Sequence, residues 1–153
     1  MKVKRMSKIV TYFSASGITK SKATELAQVI NADLYEIEPL HPYTNADLNR
    51  NNPNSRSSVE TNDASSRPEL KTTTDLSQYD QVYIGFPIWW GIAPRIINSF
   101  IEAHDLKDKD IILFATSGGS GIQRAIKDLQ EEYPTLHIVG GKLLNGRVQK
   151  DII

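Results

Sequence analysis

The sequence contains no cysteine. That excludes disulfides, thiolate nucleophiles, cysteine-ligated metal sites and iron–sulfur clusters together, and it agrees with a reducing compartment. A charge of one sign is missing too, because 18 Lys and Arg balance 18 Asp and Glu. No whole-molecule field therefore favours nucleic acid or an anionic membrane. No apolar run approaches the roughly 20 residues of a membrane-spanning helix. The basic start, Met1 to Lys8, leads into no apolar stretch of signal-peptide type, so a soluble, cytoplasmic protein is expected. The three histidines (His41, His104 and His137) lack the spacing of metal ligands. No residue stands out as a catalytic acid, base or nucleophile.

What is present is enough for one domain. A chain of 153 residues, 39% hydrophobic and 24% charged, can bury a full core, and a single domain over 1–153 is expected. Ile9-Val10-Thr11-Tyr12-Phe13 is short, β-branched and aromatic, as a strand buried on both faces of a parallel sheet would be. Residues 81–86, 111–115 and, more weakly, 137–139 repeat the pattern. Leu34-Tyr35-Glu36-Ile37 alternates and predicts an edge strand. Helical spacing fills the gaps: Ala23, Leu26, Ala27 and Ile30; Ile97, Phe100, Ile101 and His104; Ile122, Ala125, Ile126, Leu129 and Tyr133. His104 falls on the apolar stripe and reads as a packing residue. Alternating strands and helices predict a doubly wound α/β sandwich with a parallel sheet.

Residues 39–76 break the alternation. They are dominated by Asn, Ser, Thr, Arg, Asp and Pro, and structureless loops beyond roughly 12–15 residues are uncommon in compact domains. Two readings stand: a solvated insertion, or a segment folded back over a ligand site.

In open α/β sheets, ligands bind beyond the carboxyl ends of the strands. Three strands here end in unusual loops. Ser14-Ala15-Ser16-Gly17-Ile18-Thr19 offers hydroxyls, a flexible glycine and the N-terminus of a helix, which suits a phosphate. It lacks the Gly-Lys-Ser/Thr ending of a nucleotide P-loop, and a simple helix cap is its plainer reading. Lys20 and Lys22 are expected to be solvated. Pro87-Ile88-Trp89-Trp90-Gly91 carries both tryptophans. Neighbours at a strand end point in different directions, so one indole can close the core while the other faces a flat ligand. Thr116-Ser117-Gly118-Gly119-Ser120-Gly121 holds three glycines in four positions, a backbone suited to wrapping a ligand closely. It is not a nucleophile elbow, since Ile122 stands where Gly-x-Ser-x-Gly needs glycine.

These three loops, in this order, resemble the flavodoxin family. Ser14 to Thr19 matches that family's phosphate pattern, Ser/Thr-x-Ser/Thr-Gly-x-Thr, at every position. "FPIWWGIAP" and "FATSGGSGI" are similar to a bacterial flavodoxin-like subgroup, and the resemblance runs from about Lys8 to Gly146. It implies a five-stranded sheet of order 2-1-3-4-5 with helices on both faces. It also implies non-covalent FMN, with the phosphate on Ser14, Ala15, Ser16, Gly17, Ile18 and Thr19. The flavin ring would lie between the loops at Pro87, Ile88, Trp89, Trp90 and Gly91 and at Thr116, Ser117, Gly118, Gly119 and Ser120.

The sequence also departs from the family. Many flavodoxins stack a tyrosine from the third loop on the flavin and crowd carboxylates near its edge. Here that loop has no aromatic, the three loops have no Asp or Glu, and Arg95 and Arg124 follow them. Glu60 or Asp63 of the insertion could restore some negative charge. Only seven residues follow Gly146, so the sheet face near strands one and three is expected to be partly open and covered by a homodimer partner. Two redox roles are compatible with this sequence. One is an electron carrier serving a partner protein, the other a small FMN-dependent reductase using NAD(P)H and a quinone-type acceptor. A flavin-free receiver-like module would need acidic residues clustered at the strand ends, which are lacking.

Overall fold

The computed structural model describes residues 7–117 and 119–146. Gly118, placed by the sequence in the third loop, lies outside them. In chain order the elements are β1 (Lys8–Tyr12), α1 (Ile18–Val29), β2 (Asp33–Glu36), α2 (Arg56–Asn62), β3 (Gln81–Pro87), α3 (Arg95–Ala103), β4 (Asp110–Thr116), α4 (Gln123–Glu132) and β5 (His137–Leu143). The five strands form one sheet of order β2-β1-β3-β4-β5, and every pairing is parallel.

Side-chain alternation along the strands builds two cores. Ile9 and Phe13, Val82, Ile84 and Phe86, and Ile111, Leu113 and Ala115 share one face with Ile96, Ile97 and Phe100 of α3 and Ala125 and Leu129 of α4. Val10 and Tyr12, Tyr83, and Ile112 and Phe114 share the other with Ala23, Leu26 and Ala27 of α1. Burial on both faces is why these strands read as unbroken apolar runs. Gly85 makes room for this packing. It pairs with Phe114 in register, and a Cβ there would lie 2.1 Å from the Phe114 ring.

One expectation needs correction. The sheet face near strands one and three is not open, because Val10, Tyr12, Tyr83 and Ile112 are all buried. Among the described residues, that face therefore presents no apolar patch for a partner to cover. Of the two readings of the segment from 39 to 76, the structure agrees with the one that folds it back over the strand ends. The segment contains α2, bridges back on itself at Pro39 and Leu70, and sends Leu76 into the core. Arg67 staples it to two helices, donating to Glu102 of α3 (2.9 Å) and Glu132 of α4 (3.1 Å).

His104 ends α3 rather than continuing it, and does pack: its ring lies 4.3 Å from that of Phe100. Nε2 accepts from the Thr74 amide at 3.2 Å, which leaves the proton on Nδ1 to donate to the Phe100 carbonyl at 2.8 Å. This residue anchors the segment's return to β3.

Candidate functional site

Beyond the carboxyl ends of β1, β3 and β4 lies a cleft of about 870 Å³, toward the upper end of the roughly 300–1,000 Å³ of small-molecule sites. Its walls are built by the three loops and the 39–76 segment.

The first loop turns from β1 into α1 through Gly17, whose φ of 95° is left-handed and natural for glycine. Ser14 caps the turn, its Oγ accepting from the Gly17 and Lys20 amides at 3.1 Å each. Helices leave their first amides without internal partners. Ser14 satisfies only some of them here. The amides of Ser16, Ile18 and Thr19 make no hydrogen bond among the described residues, and Ser16 and Ile18 line the cleft. Thr19 behaves differently from an exposed phosphate ligand. It is 2% exposed, and its hydroxyl shares a 2.8 Å hydrogen bond with that of Thr116, tying the first loop to the third. Lys20 is exposed, while Lys22 donates to the Gly146 carbonyl at 2.7 Å.

In the second loop, Trp89 and Ile92 exchange two backbone hydrogen bonds of 3.0 and 3.1 Å. The two residues between them, Trp90 and Gly91, have φ of 51° and 84°, as a two-residue type I′ hairpin requires. A left-handed tryptophan costs on the order of 1–3 kcal/mol, and such strain gathers at functional sites. The turn sends the two indoles apart. Trp89 sits edge-on to Phe13 and Tyr43 at ring distances of 5.7 and 5.5 Å. Trp90 is 44% exposed at the cleft. Arg124 lies against Gly91 and donates to the Trp90 carbonyl at 3.4 Å.

The third loop folds on Ser117. Its Oγ accepts from the Gly119 and Ser120 amides at 3.1 and 2.8 Å, and its own amide donates to Asn145 Oδ1 at 3.0 Å. The Ile88 amide donates to the Thr116 carbonyl at 3.0 Å and locks loops two and three together.

The cleft thus gathers Ser16 and Ile18, Pro87 to Trp90, and Thr116, Ser117, Gly119 and Ser120 from the sequence expectation. Ser14, Ala15, Gly17, Thr19 and Gly91 do not line it; buried Thr19 ties the first loop to the third, and Ser14 caps the first turn. Leu48, Arg50, Ser57 and Asn145 also line it and were not anticipated. Asn145 follows β5, and the other three belong to the 39–76 segment. A signal for them existed in Tyr43, the one aromatic of that segment. Tyr43 packs on Phe13 and Trp89 and thereby draws the segment over the site.

Among the described residues, no carboxylate lines the cleft, and Arg50 is its one charged side chain. Arg95 and Arg124 are both occupied elsewhere. Arg95 is buried and donates to the carbonyls of Glu60 and Thr61 at 3.4 and 2.9 Å, closing the end of α2. Glu60 is held by the Tyr43 hydroxyl (2.5 Å) and by Arg56 (2.9 Å). Burial, then that carboxylate, pushes the Tyr43 phenol well above its ordinary range. Asp63 spends itself on Ser65. Neither acid restores negative charge to the cleft.

The Flavodoxin family model matches residues 7–153. The chain belongs to the flavodoxin family. No curated protein sequence matches it significantly. Among solved structures it is similar to a candidate flavoprotein of Bacteroides eggerthii, at 49% identity and a TM-score of 0.93 over 95% of this chain and 92% of that one. A second candidate flavoprotein, from Bacteroides uniformis, matches at 47% identity and a TM-score of 0.93 over 97% and 96% of the two chains. A Lactobacillus acidophilus flavoprotein in complex with FMN shares the fold at 20% identity, with a TM-score of 0.71 over 91% and 93%. The flavodoxin strand order and the three loops at the strand ends are thus features of a flavodoxin-like fold. Among the described residues, no helix is long and apolar enough to cross a membrane.

Proposed function

We propose that the cleft holds FMN non-covalently and that the protein transfers electrons through it. The observation that carries this is the lining of the cleft, where Ser16 and Ile18, whose amides have no partner among the described residues, share the wall with the exposed Trp90. Helix-end amides favour a phosphate, and an open indole favours a flat ring. The Lactobacillus acidophilus relative bound to FMN supports the choice of flavin. When bound, FMN supplies one- and two-electron chemistry. The chain's own residues bind and orient it: Ser16 to Thr19 would meet the phosphate, with Pro87 to Trp90 and Thr116 to Ser120 flanking the ring. No side chain is asked to move a proton. Titration with FMN and riboflavin, followed by flavin fluorescence, tests this. FMN should bind at least about tenfold more tightly, because charge-assisted hydrogen bonds to phosphate are worth roughly 1.5–3 kcal/mol. Equal affinities would overturn the assignment.

One observation favours a reductase over a plain carrier. The loop from Thr116 to Gly121 has no aromatic to cover the ring, which leaves space for a nicotinamide or quinone to stack. Anaerobic mixing of the FMN-loaded protein with NADH and NADPH separates the two roles. Reduction by either nucleotide supports the reductase, and none supports a carrier with a protein partner.

A further inference from the structure

We infer that Arg50 and Ser57 form an anion subsite on the wall that the 39–76 segment adds to the cleft, built to receive a phosphoryl or carboxylate group. Four other arginines of the region are already engaged. Arg56 pairs with Glu60, Arg67 with Glu102 and Glu132, Arg95 with two carbonyls, and Arg124 with Trp90. Arg50 lines the cleft, and among the described residues it has no hydrogen bond or ion pair and no carboxylate lines the cleft beside it. Ser57 is the second and independent observation. It lines the same cleft, is 2% exposed, and its hydroxyl has no partner.

A buried hydroxyl without a partner is costly and uncommon in native structures, and it points to a group that is bound there. Both residues are held in place. The Ser57 amide donates to the Asp47 carbonyl at 2.9 Å, and the turn from Asn49 to Asn52 closes around Arg50 with a 3.1 Å backbone hydrogen bond. A guanidinium fork and a hydroxyl lining the same cleft are a donor set for oxyanions. Two sources offer that chemistry: the phosphate of FMN, which rests on the reading above, or an anionic group on the molecule that exchanges electrons with it.

The test starts with flavin-free protein and inorganic phosphate as probe, at constant ionic strength against chloride. Phosphate should raise the melting temperature of the wild type and of K127Q, a charge change on exposed Lys127 of α4. The rise should be lost or strongly reduced in R50Q and S57A. Removing an unpaired hydroxyl should leave S57A as stable as the wild type without phosphate, so lost protection there cannot come from misfolding.

FMN and riboflavin titrations then name the source. A loss of roughly 10- to 100-fold in FMN affinity in R50Q, with riboflavin unchanged, assigns the subsite to the FMN phosphate. Unchanged FMN affinity, with phosphate protection still lost, assigns it to a second molecule. Equal phosphate protection in the wild type and either variant overturns the subsite. A wild type that binds phosphate through Arg50 but binds no flavin would sink the FMN reading and leave this one standing.

Discussion

Replacing Thr19 and Thr116 with valine, singly and together, asks whether the first and third loops are joined as the geometry says. Their hydroxyls meet at 2.8 Å between residues that are 2% and 5% exposed. Valine keeps the branched shape and exchanges only the hydroxyl for a methyl. Each single change therefore leaves the opposite hydroxyl without its partner, at a cost of about 1–3 kcal/mol. The two costs should differ. Thr116 lines the cleft, where its hydroxyl can turn to water, whereas Thr19 does not line it. Thr116→Val strands the deeper hydroxyl and should be the more harmful change.

The double variant leaves nothing stranded. Exchange of both partners for apolar groups of the same shape is close to neutral, so it should be more stable than the worse single variant. The coupling should then be at least about 1 kcal/mol, within the range found for residues in contact. Urea unfolding measures this if the slope is unchanged between variants. For a chain of this size a 2 kcal/mol loss lowers the melting temperature by roughly 4–8 °C. A double variant whose loss equals the sum of the singles would refute the shared hydrogen bond. The loops would then have to be held by backbone contacts alone.

Two further outcomes follow from the charges of the fold. Burial and the nearby Glu36 push the Tyr12 phenol up to about 12 from an ordinary 10, and burial with Glu60 and Glu102 raises Tyr43 and Tyr133 as well. The folded chain keeps these protons after the unfolded chain has released them, so their contribution is intact below about pH 10 and lost as pH rises through 12; urea midpoints that stay level over that window would contradict it. The FMN-loaded protein should also be harder to bring to very negative potentials than acidic flavodoxins, because among the described residues its cleft carries Arg50 and no carboxylate. A unit charge at about 10 Å and an effective dielectric near 20 is worth roughly 1.7 kcal/mol, or about 70 mV for one electron. R50Q should shift the potential downward by that order in a potentiometric titration, and an unchanged value would refute the argument.

The sheet was legible because its central strands are buried on both faces, so runs such as Val82 to Phe86 carry no polar interruption. The site was legible where composition changes abruptly at a strand end, as at Ser14 and Trp89. The 39–76 segment was opaque for a physical reason. Helix α2 reads Arg-Ser-Ser-Val-Glu-Thr-Asn and has no apolar stripe. It is held by a Ser55 cap on the Ser58 amide, by the Tyr43–Glu60–Arg56 cluster, with Arg56 lying over the Tyr43 ring, and by Arg95 at its far end. Beyond the local cap and the Arg56–Glu60 pair, these are tertiary contacts between residues far apart in the chain. Proximity in sequence misled for the same reason: Arg95 and Arg124 follow the ligand loops directly, yet the fold spends both on carbonyls, while Arg50 arrives from another segment.

The two serines that organise the loops show how the site divides its labour. Ser14 and Ser117 each accept two backbone amides at a strand end. Each holds its turn in shape without a ligand, so little ordering would remain when one arrives. Ser14 leaves the Ser16, Ile18 and Thr19 amides free, and these are fixed dipoles with no charge. A phosphate held by amides is less sensitive to added salt than one held by an exposed cation, which is screened within about 10 Å at 0.1 M ionic strength. Arg50 is such a cation. In the proposed site, the first loop therefore provides the salt-tolerant part of anion binding and the 39–76 wall the salt-sensitive part. Affinity for FMN would rest mainly on the strand-end loops, while the choice of what approaches it is exposed on the wall that the polar segment builds.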